Sequence, residues 1–277
     1  MKTNQPFTFE ISLSVLNHLG RNLYRSFMTV IGEAISNSWD ADANNVNIYL
    51  SREHGNMVIK DDGIGMDSDD FQNKFLRIGY SKRKDGKMQS QKERPYIGRK
   101  GIGKLALLSC ANRISIITKK EGGEYVGGVI DNSGLDEAIN DDLTAQQYPL
   151  TEVDFGILDG YTKRHKKGTI IYFQDINDGV RNTETYLKKL IALYFRFSLI
   201  DKSFNIYFND ELIDLDNLDS LANETQFVWE INKSYDPFVL EKLVNNNSLK
   251  NFVRKNTNSA ITGFIGTVTK PSALNLE

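Results

Sequence analysis

Residues Ile59-Lys60-Asp61-Asp62-Gly63-Ile64-Gly65-Met66 constrain this chain most, because an apolar run there ends in a carboxylate framed by glycines. The pattern is that of a buried strand running into a tight turn. A strand ending in Asp-x-Gly-x-Gly sets one acceptor at the lip of a sheet, where an amino group of a ligand can donate to it. The glycines remove side chains that would block a flat ring. Asp-Gly is also the commonest turn chemistry, so by itself the stretch leaves a plain turn open.

The flanking sequence predicts a mixed fold. Residues 21–43 read as a helix, with Leu23, Phe27, Val30, Ile31, Ala34 and Ile35 at helical spacing. Strands are predicted at 45–50 and 56–60, joined at His54-Gly55 into a hairpin. A short helix is predicted over 69–78, then a polar run, 81–94, whose lysines and arginines predict a mobile loop. A helix at 104–111 and strands at 113–118, 125–131 and 168–173 follow. An apolar helix over 183–199 precedes a hairpin about Asn209-Asp210. Helices alternate with hairpins, which indicates an α+β two-layer sandwich: a mixed, mostly antiparallel sheet with helices on one face. Residues 245–258 read as an asparagine- and lysine-rich connector, and 260–270 as a strand with nothing after it. Such a strand cannot bury its faces alone, so the expectation is a chain that stops just inside a second domain.

Two further stretches carry chemistry. On the first helix Glu33, Asn37 and Asp40 fall within an arc of roughly 60° at about 100° per residue. A solvated face is the ordinary reading of such residues. Asn is nevertheless a poor choice for an exposed mid-helix site, and its carbonyl oxygen can ligate Mg²⁺. Glu33, one turn away, could then deprotonate an attacking water. Downstream, Gly98-Arg99-Lys100-Gly101-Ile102-Gly103-Lys104 opens a helix, and main-chain N–H groups in such a turn can cradle phosphate. Its spacing is neither that of a P-loop nor Gly-x-Gly-x-x-Gly. Arg99 and Lys100 could touch phosphate or lie in solvent.

In this order the stretches resemble the boxes of the GHKL ATPase superfamily (gyrase B, Hsp90, histidine kinases, MutL), nearest in look to Hsp90- and MORC-like members. They are Glu33 to Ala43, Asp61 to Met66, Gly98 to Lys104, and Gly168-Thr169 opening a strand. The resemblance implies a Bergerat-type ATP-binding domain over 1–220. It implies a connector and the opening strand of an S5-like transducer domain over 221–277. It implies ATP and Mg²⁺ as ligands, Glu33 as general base and Asn37 as Mg²⁺ ligand. Asp61 would accept from the adenine amino group, supported by Thr169, with Gly63, Gly65 and Met66 around the ring. Gly98, Lys100, Gly101, Ile102, Gly103 and Lys104 would hold the phosphates, and residues 67–97 would form a lid. Trp39 departs from the family pattern, which has a small residue there; its helix angle places it in packing rather than on adenine.

The implied activity is ATP binding and hydrolysis that drives conformational change in a larger dimeric machine, slow in this stretch alone. The alternative is an ATP-binding sensor that does not hydrolyse; Glu33 argues against it. A histidine kinase is disfavoured, since His18 lacks an acidic neighbour and upstream length. The net charge of −2 offers no field for nucleic acid, and the client of the machine stays unread. A single cysteine, Cys110, excludes an internal disulfide and suits a reducing compartment. No apolar run reaches the roughly 18 residues of a membrane span, and residues 1–10 lack a signal-peptide core. The expectation is a cytoplasmic protein with no membrane partner.

Overall fold

A computed structural model describes residues 27–77, 80, 88–98, 110–132, 150–176, 182–244, 246–247 and 249–274. The chain divides into two compact units, Met1–Val180 and Arg181–Glu277.

In the first unit, helix α1 (Phe27–Asp40) turns Val30, Ile31, Ala34, Ile35, Ser38 and Trp39 inward. The antiparallel hairpin β1 (Asn45–Ser51) and β2 (Asn56–Asp61) follows, with Gly55 in the left-handed region at its turn. Strands β3 (Ala111–Lys119), β4 (Val126–Asp131) and β5 (Gly168–Ile176) complete the sheet of this unit. The strand order is β4-β3-β5-β2-β1, with each adjacent pair antiparallel.

Both faces of this sheet are covered. Met57, Val58 and Ile59 are successive residues of β2 and all three are buried, which requires packing above and below the strand. Direct cross-strand partners share a face. Asp61 stands on the face of Ile59 and Met57, turned to α1. The register pairs Thr118 with Thr169 on that same face. The opposite face carries Val58, Ile117 and Ile170, closed by Leu158 with Tyr49, Tyr125, Val153, Tyr161 and Tyr172 packed around them. That cover is a 3-10 turn (Phe155–Leu158) and a ring of tyrosines.

Several sequence expectations shift. The predicted helix at 69–78 is a short turn, Ser68–Asp70, with the wider turn Phe71–Phe75 after it. The Asp67 carboxylate caps its start. Ala111, placed by sequence at a helix end, opens β3.

The second unit begins with α2 (Glu184–Tyr194), capped by Thr183, and α3 (Arg196–Ile200); the single apolar helix predicted here breaks at Phe195, whose ψ of 42° leaves the helical range. β6 (Asn205–Phe208) and β7 (Glu211–Leu212) form the expected hairpin, Asn209 and Asp210 both taking positive φ. Helix α4 (Asp219–Glu224) leads into β8 (Thr225–Ile231). The terminal strand β10 (Gly263–Val268) is not alone: it pairs antiparallel with β8, while β9 (Asn251–Lys255), inside the predicted connector, pairs parallel with β8. Glu230, fully buried in β8, is neutralised by Arg254 of β9 at 2.6 Å and bonded by Ser234.

Candidate nucleotide site

Three elements converge on Asp61. The last residue of β2 is buried, and its carboxylate is held from three sides. Oδ1 accepts from the Gly63 N–H at 2.9 Å and the Thr169 N–H at 3.3 Å. Oδ2 lies 3.1 Å from the Ser38 hydroxyl of α1. Burial pushes the Asp61 carboxyl up to about 6, against the opposing pull of these bonds. Thr169 therefore supports Asp61 through its main chain. Its hydroxyl turns to Thr118, 3.1 Å away, and Thr118 also accepts from Met66 N–H at 3.0 Å and donates to Gly168 O at 2.9 Å.

The glycines also meet main chain at close range. A Cβ on Gly63 would stand 2.8 Å from Ala41 O, and one on Gly65 only 1.8 Å from Lys119 O. Gly65 also takes φ +66°. They let the turn lie against the end of α1 and against β3, a backbone contact that itself demands glycine. Gly168, at φ +114°, lets β5 pass the Asp61 carbonyl, where a Cβ would be 2.1 Å from the oxygen.

Glu33 and Asn37 are half-buried on α1, one turn apart. Among the described residues, no hydrogen bond engages either side chain. Burial, and then the negative charge of Asp40, raises the Glu33 carboxyl above its usual value. An unengaged amide oxygen beside a carboxylate of raised proton affinity fits a hydrated Mg²⁺ and an adjacent base. Among the described residues no cluster of three or more His, Cys, Asp or Glu side chains offers a protein-built cage.

Asp40 is buried and accepts from the Ile97 N–H at 2.8 Å and the Gly98 N–H at 3.1 Å. It thereby ties α1 to the start of the second glycine stretch. Of that stretch only Gly98 is described; Lys100, Gly101, Ile102, Gly103 and Lys104 lie outside the described residues.

Residues 88–97, within the expected lid, and Gly98 after them are strapped to the end of α1. Trp39 donates from Nε1 to Pro95 O at 2.9 Å, and the Arg94 guanidinium lies 4.6 Å from the centre of its ring. Arg94 itself is buried and donates to Ala43 O. Asp42 accepts from the Ser90 hydroxyl and from Lys92 N–H, while Lys92 Nζ reaches Asp42 O at 2.9 Å. Ser90, Lys92 and Arg94 of the run are satisfied by carbonyls and a carboxylate at the end of the helix. Composition alone does not reveal such partners.

Sequence reading missed Ser38, Thr118 and Tyr125, and took His165 for a structural or surface residue. Ser38 follows Asn37 directly and lies on the inner flank of the same helix, a signal that was available. The other three are brought in by strand register and a loop. His165 is buried, with Nε2 2.8 Å from Asp61 O and Nδ1 2.9 Å from the Tyr125 hydroxyl. No helix among the described residues is long and apolar enough to cross a membrane.

Comparison with known proteins agrees with this geometry. Residues 24–154 match the family model described as histidine kinase-, DNA gyrase B-, and HSP90-like ATPase. HgiDII of Herpetosiphon aurantiacus, provisionally named a type II restriction enzyme, is 31% identical over 275 residues, covering 98% of this chain and 43% of that protein. The chaperone protein HtpG of Geobacter metallireducens is 26% identical over 151 residues, covering 46% of this chain and 23% of HtpG. The chain thus spans less than half the length of each of these curated relatives. Over residues 24–154 this chain carries an ATPase domain of the histidine kinase, gyrase B and Hsp90 family, the GHKL superfamily.

Proposed function

We propose that this chain binds and hydrolyses ATP with Mg²⁺, and that the cycle drives conformational change in a larger, nuclease-associated assembly that dimerises when nucleotide is bound. One observation carries the reading. A buried carboxylate, Asp61, is held ready by two main-chain donors and a serine, beside a helix whose Glu33 and Asn37 side chains are unengaged among the described residues.

In this reading Asp61 accepts from the adenine amino group, with Gly63, Gly65, Met66 and Thr169 shaping its surroundings. Asn37 would hold the metal through its side-chain oxygen, and bound Mg²⁺ would neutralise charge on the phosphates. Glu33, its proton affinity raised by burial, takes the proton from the attacking water. Gly98, fixed by Asp40, leads the chain into Lys100 to Lys104, which donate to the phosphates. The nuclease association follows from the name of the Herpetosiphon aurantiacus relative, and contacts to DNA are assigned to parts of the assembly outside these residues.

Calorimetry with ATP and single-turnover hydrolysis test the reading together. Wild type should bind ATP, Asp61→Asn should lose that binding while folded, and Glu33→Ala should bind but not turn over. ATP affinity unchanged in folded Asp61→Asn overturns the pocket. Binding by wild type without hydrolysis makes the chain a sensor instead.

A further inference from the structure

Behind Asp61, on the side of the sheet away from α1, the β2–β5 ladder stops. Its last register pair is Lys60 with Ile170, and Gly168 passes the Asp61 carbonyl without pairing in that ladder. The position of the missing strand donor is taken by the His165 imidazole, Nε2 lying 2.8 Å from Asp61 O. A carbonyl can only accept, so Nε2 carries the proton. In the neutral ring Nδ1 is then an acceptor, and it faces the Tyr125 hydroxyl at 2.9 Å. The two rings lie nearly parallel, 12° apart, and Lys119 Nζ sits 4.3 Å from the centre of the Tyr125 ring. Nε2 and the Tyr125 hydroxyl each have one acceptor, which fixes the His165 tautomer.

We propose that His165, fixed by Tyr125, is a positioning residue for base recognition: it holds the Asp61 main chain so that the carboxylate faces the nucleobase. The inference rests on the reading of Asp61 as the adenine acceptor. The carboxylate and the carbonyl belong to the same residue, so a carbonyl released from His165 lets the whole residue pivot about the glycine turn. Donors at Gly63 and Thr169 hold the carboxylate from the front, and His165 holds the carbonyl from behind. Removing the rear anchor degrades aim rather than charge. The loss therefore falls on discrimination between bases, while triphosphate contacts, supplied by other elements, are kept.

The test is calorimetric titration of the intact chain with ATP and with GTP, alongside melting temperature. His165→Leu should lower ATP affinity about tenfold, the worth of one well-placed hydrogen bond and its unsatisfied partner, and leave GTP affinity within about twofold. His165→Gln, whose side-chain amide can donate to the same carbonyl, should restore most of the preference. Tyr125→Phe removes only the hydroxyl and should lower the ATP-to-GTP ratio by a few fold. Equal weakening of both nucleotides, or an unchanged ratio in folded His165→Leu, overturns the proposal. If His165→Leu does not fold, an unchanged ratio in Tyr125→Phe does so. Asp61→Asn separates the two levels. Loss of ATP preference there with none in the His165 and Tyr125 variants refutes only the positioning role, whereas preference retained in Asp61→Asn refutes the adenine reading as well.

Discussion

The Ser38 hydroxyl stands 3.1 Å from Asp61 Oδ2 and 2.9 Å from Ala34 O, with a single proton to give. When Asp61 is ionised, Ser38 donates to the carboxylate. When Asp61 is protonated, it can donate to Ser38, and Ser38 to the Ala34 carbonyl. The protonation state of the strand end is thus written into the hydrogen bonding of the helix. Ser38→Ala should raise the Asp61 carboxyl further and weaken ATP binding at pH 7 by about three- to tenfold, the range of one ordinary net hydrogen bond. Calorimetry at pH 7 and pH 8.5 checks it, and the deficit should shrink at the higher pH.

Asp61 also sets a pH dependence of the free protein. Its folded value, about 6, lies above the ordinary 3.8, so between about pH 3.8 and pH 6 the native state holds a proton that the unfolded chain has released. Its contribution to stability is fully present below about pH 3.8 and is lost as pH rises through about 6. The gap corresponds to roughly 2–3 kcal/mol. Asp61→Asn should therefore be more stable than wild type at pH 8, with the advantage fading towards pH 4. His165, whose value burial lowers, acts in the opposite sense, and the difference between the two proteins removes it. Urea melts across that range read the difference directly.

Glu33→Ala should keep Mg·ATP affinity within a fewfold and slow single-turnover hydrolysis by about 10²–10⁴, the contribution of a positioned base. Asn37→Ala should instead lose the Mg²⁺-dependent part of the binding. Glu33→Ala with weakened affinity and normal turnover would reverse the two roles.

Residues 88–98 should exchange amide hydrogens slowly even without nucleotide. The amides of Ser90, Tyr96, Ile97 and Gly98 are bonded, to Arg94 O, Met88 O and the two Asp40 oxygens. Asp40→Ala should speed exchange at Ile97 and Gly98 by tenfold or more, since about 1–3 kcal/mol of charge-assisted bonding is lost there. Trp39→Phe should loosen Pro95 while keeping the ring under Arg94. Exchange in mass spectrometry as fast as in an unfolded peptide would refute the strap.

Gly65→Ala should destabilise the domain by about 2–4 kcal/mol, because the left-handed φ is costly for Ala and the Cβ would meet Lys119 O at 1.8 Å. Gly122→Ala, at φ +72° but with open space around it, should lose about 1 kcal/mol. The contrast between the two, read by thermal unfolding, separates turn conformation from backbone contact.

Local physics was legible from the sequence. Helical spacing fixed which side of α1 faces inward, and Glu33 and Asn37 fell on the flank that the structure leaves unengaged among the described residues. Asn209-Asp210 gave the β6–β7 turn, since left-handed residues are rare and chemically marked. The Asp-x-Gly-x-Gly stretch gave Asp61 its place at a strand end, and even β8 could have been read from Gln226-Phe-Val-Trp-Glu-Ile231. Long-range pairing was decided only by the fold. His165 meets a carbonyl 104 residues earlier in the chain, because a strand ladder ends there and leaves an acceptor to be satisfied. Thr118 and Thr169 meet through register between β3 and β5, and the strap lies down because Asp40, Asp42 and Trp39 happen to end a helix beside it. Period and turn chemistry act over a few residues and can be read in one dimension. Burial, and with it the raised proton affinity of Asp61 and the single tautomer of His165, exists only once distant segments exclude water from the same small volume.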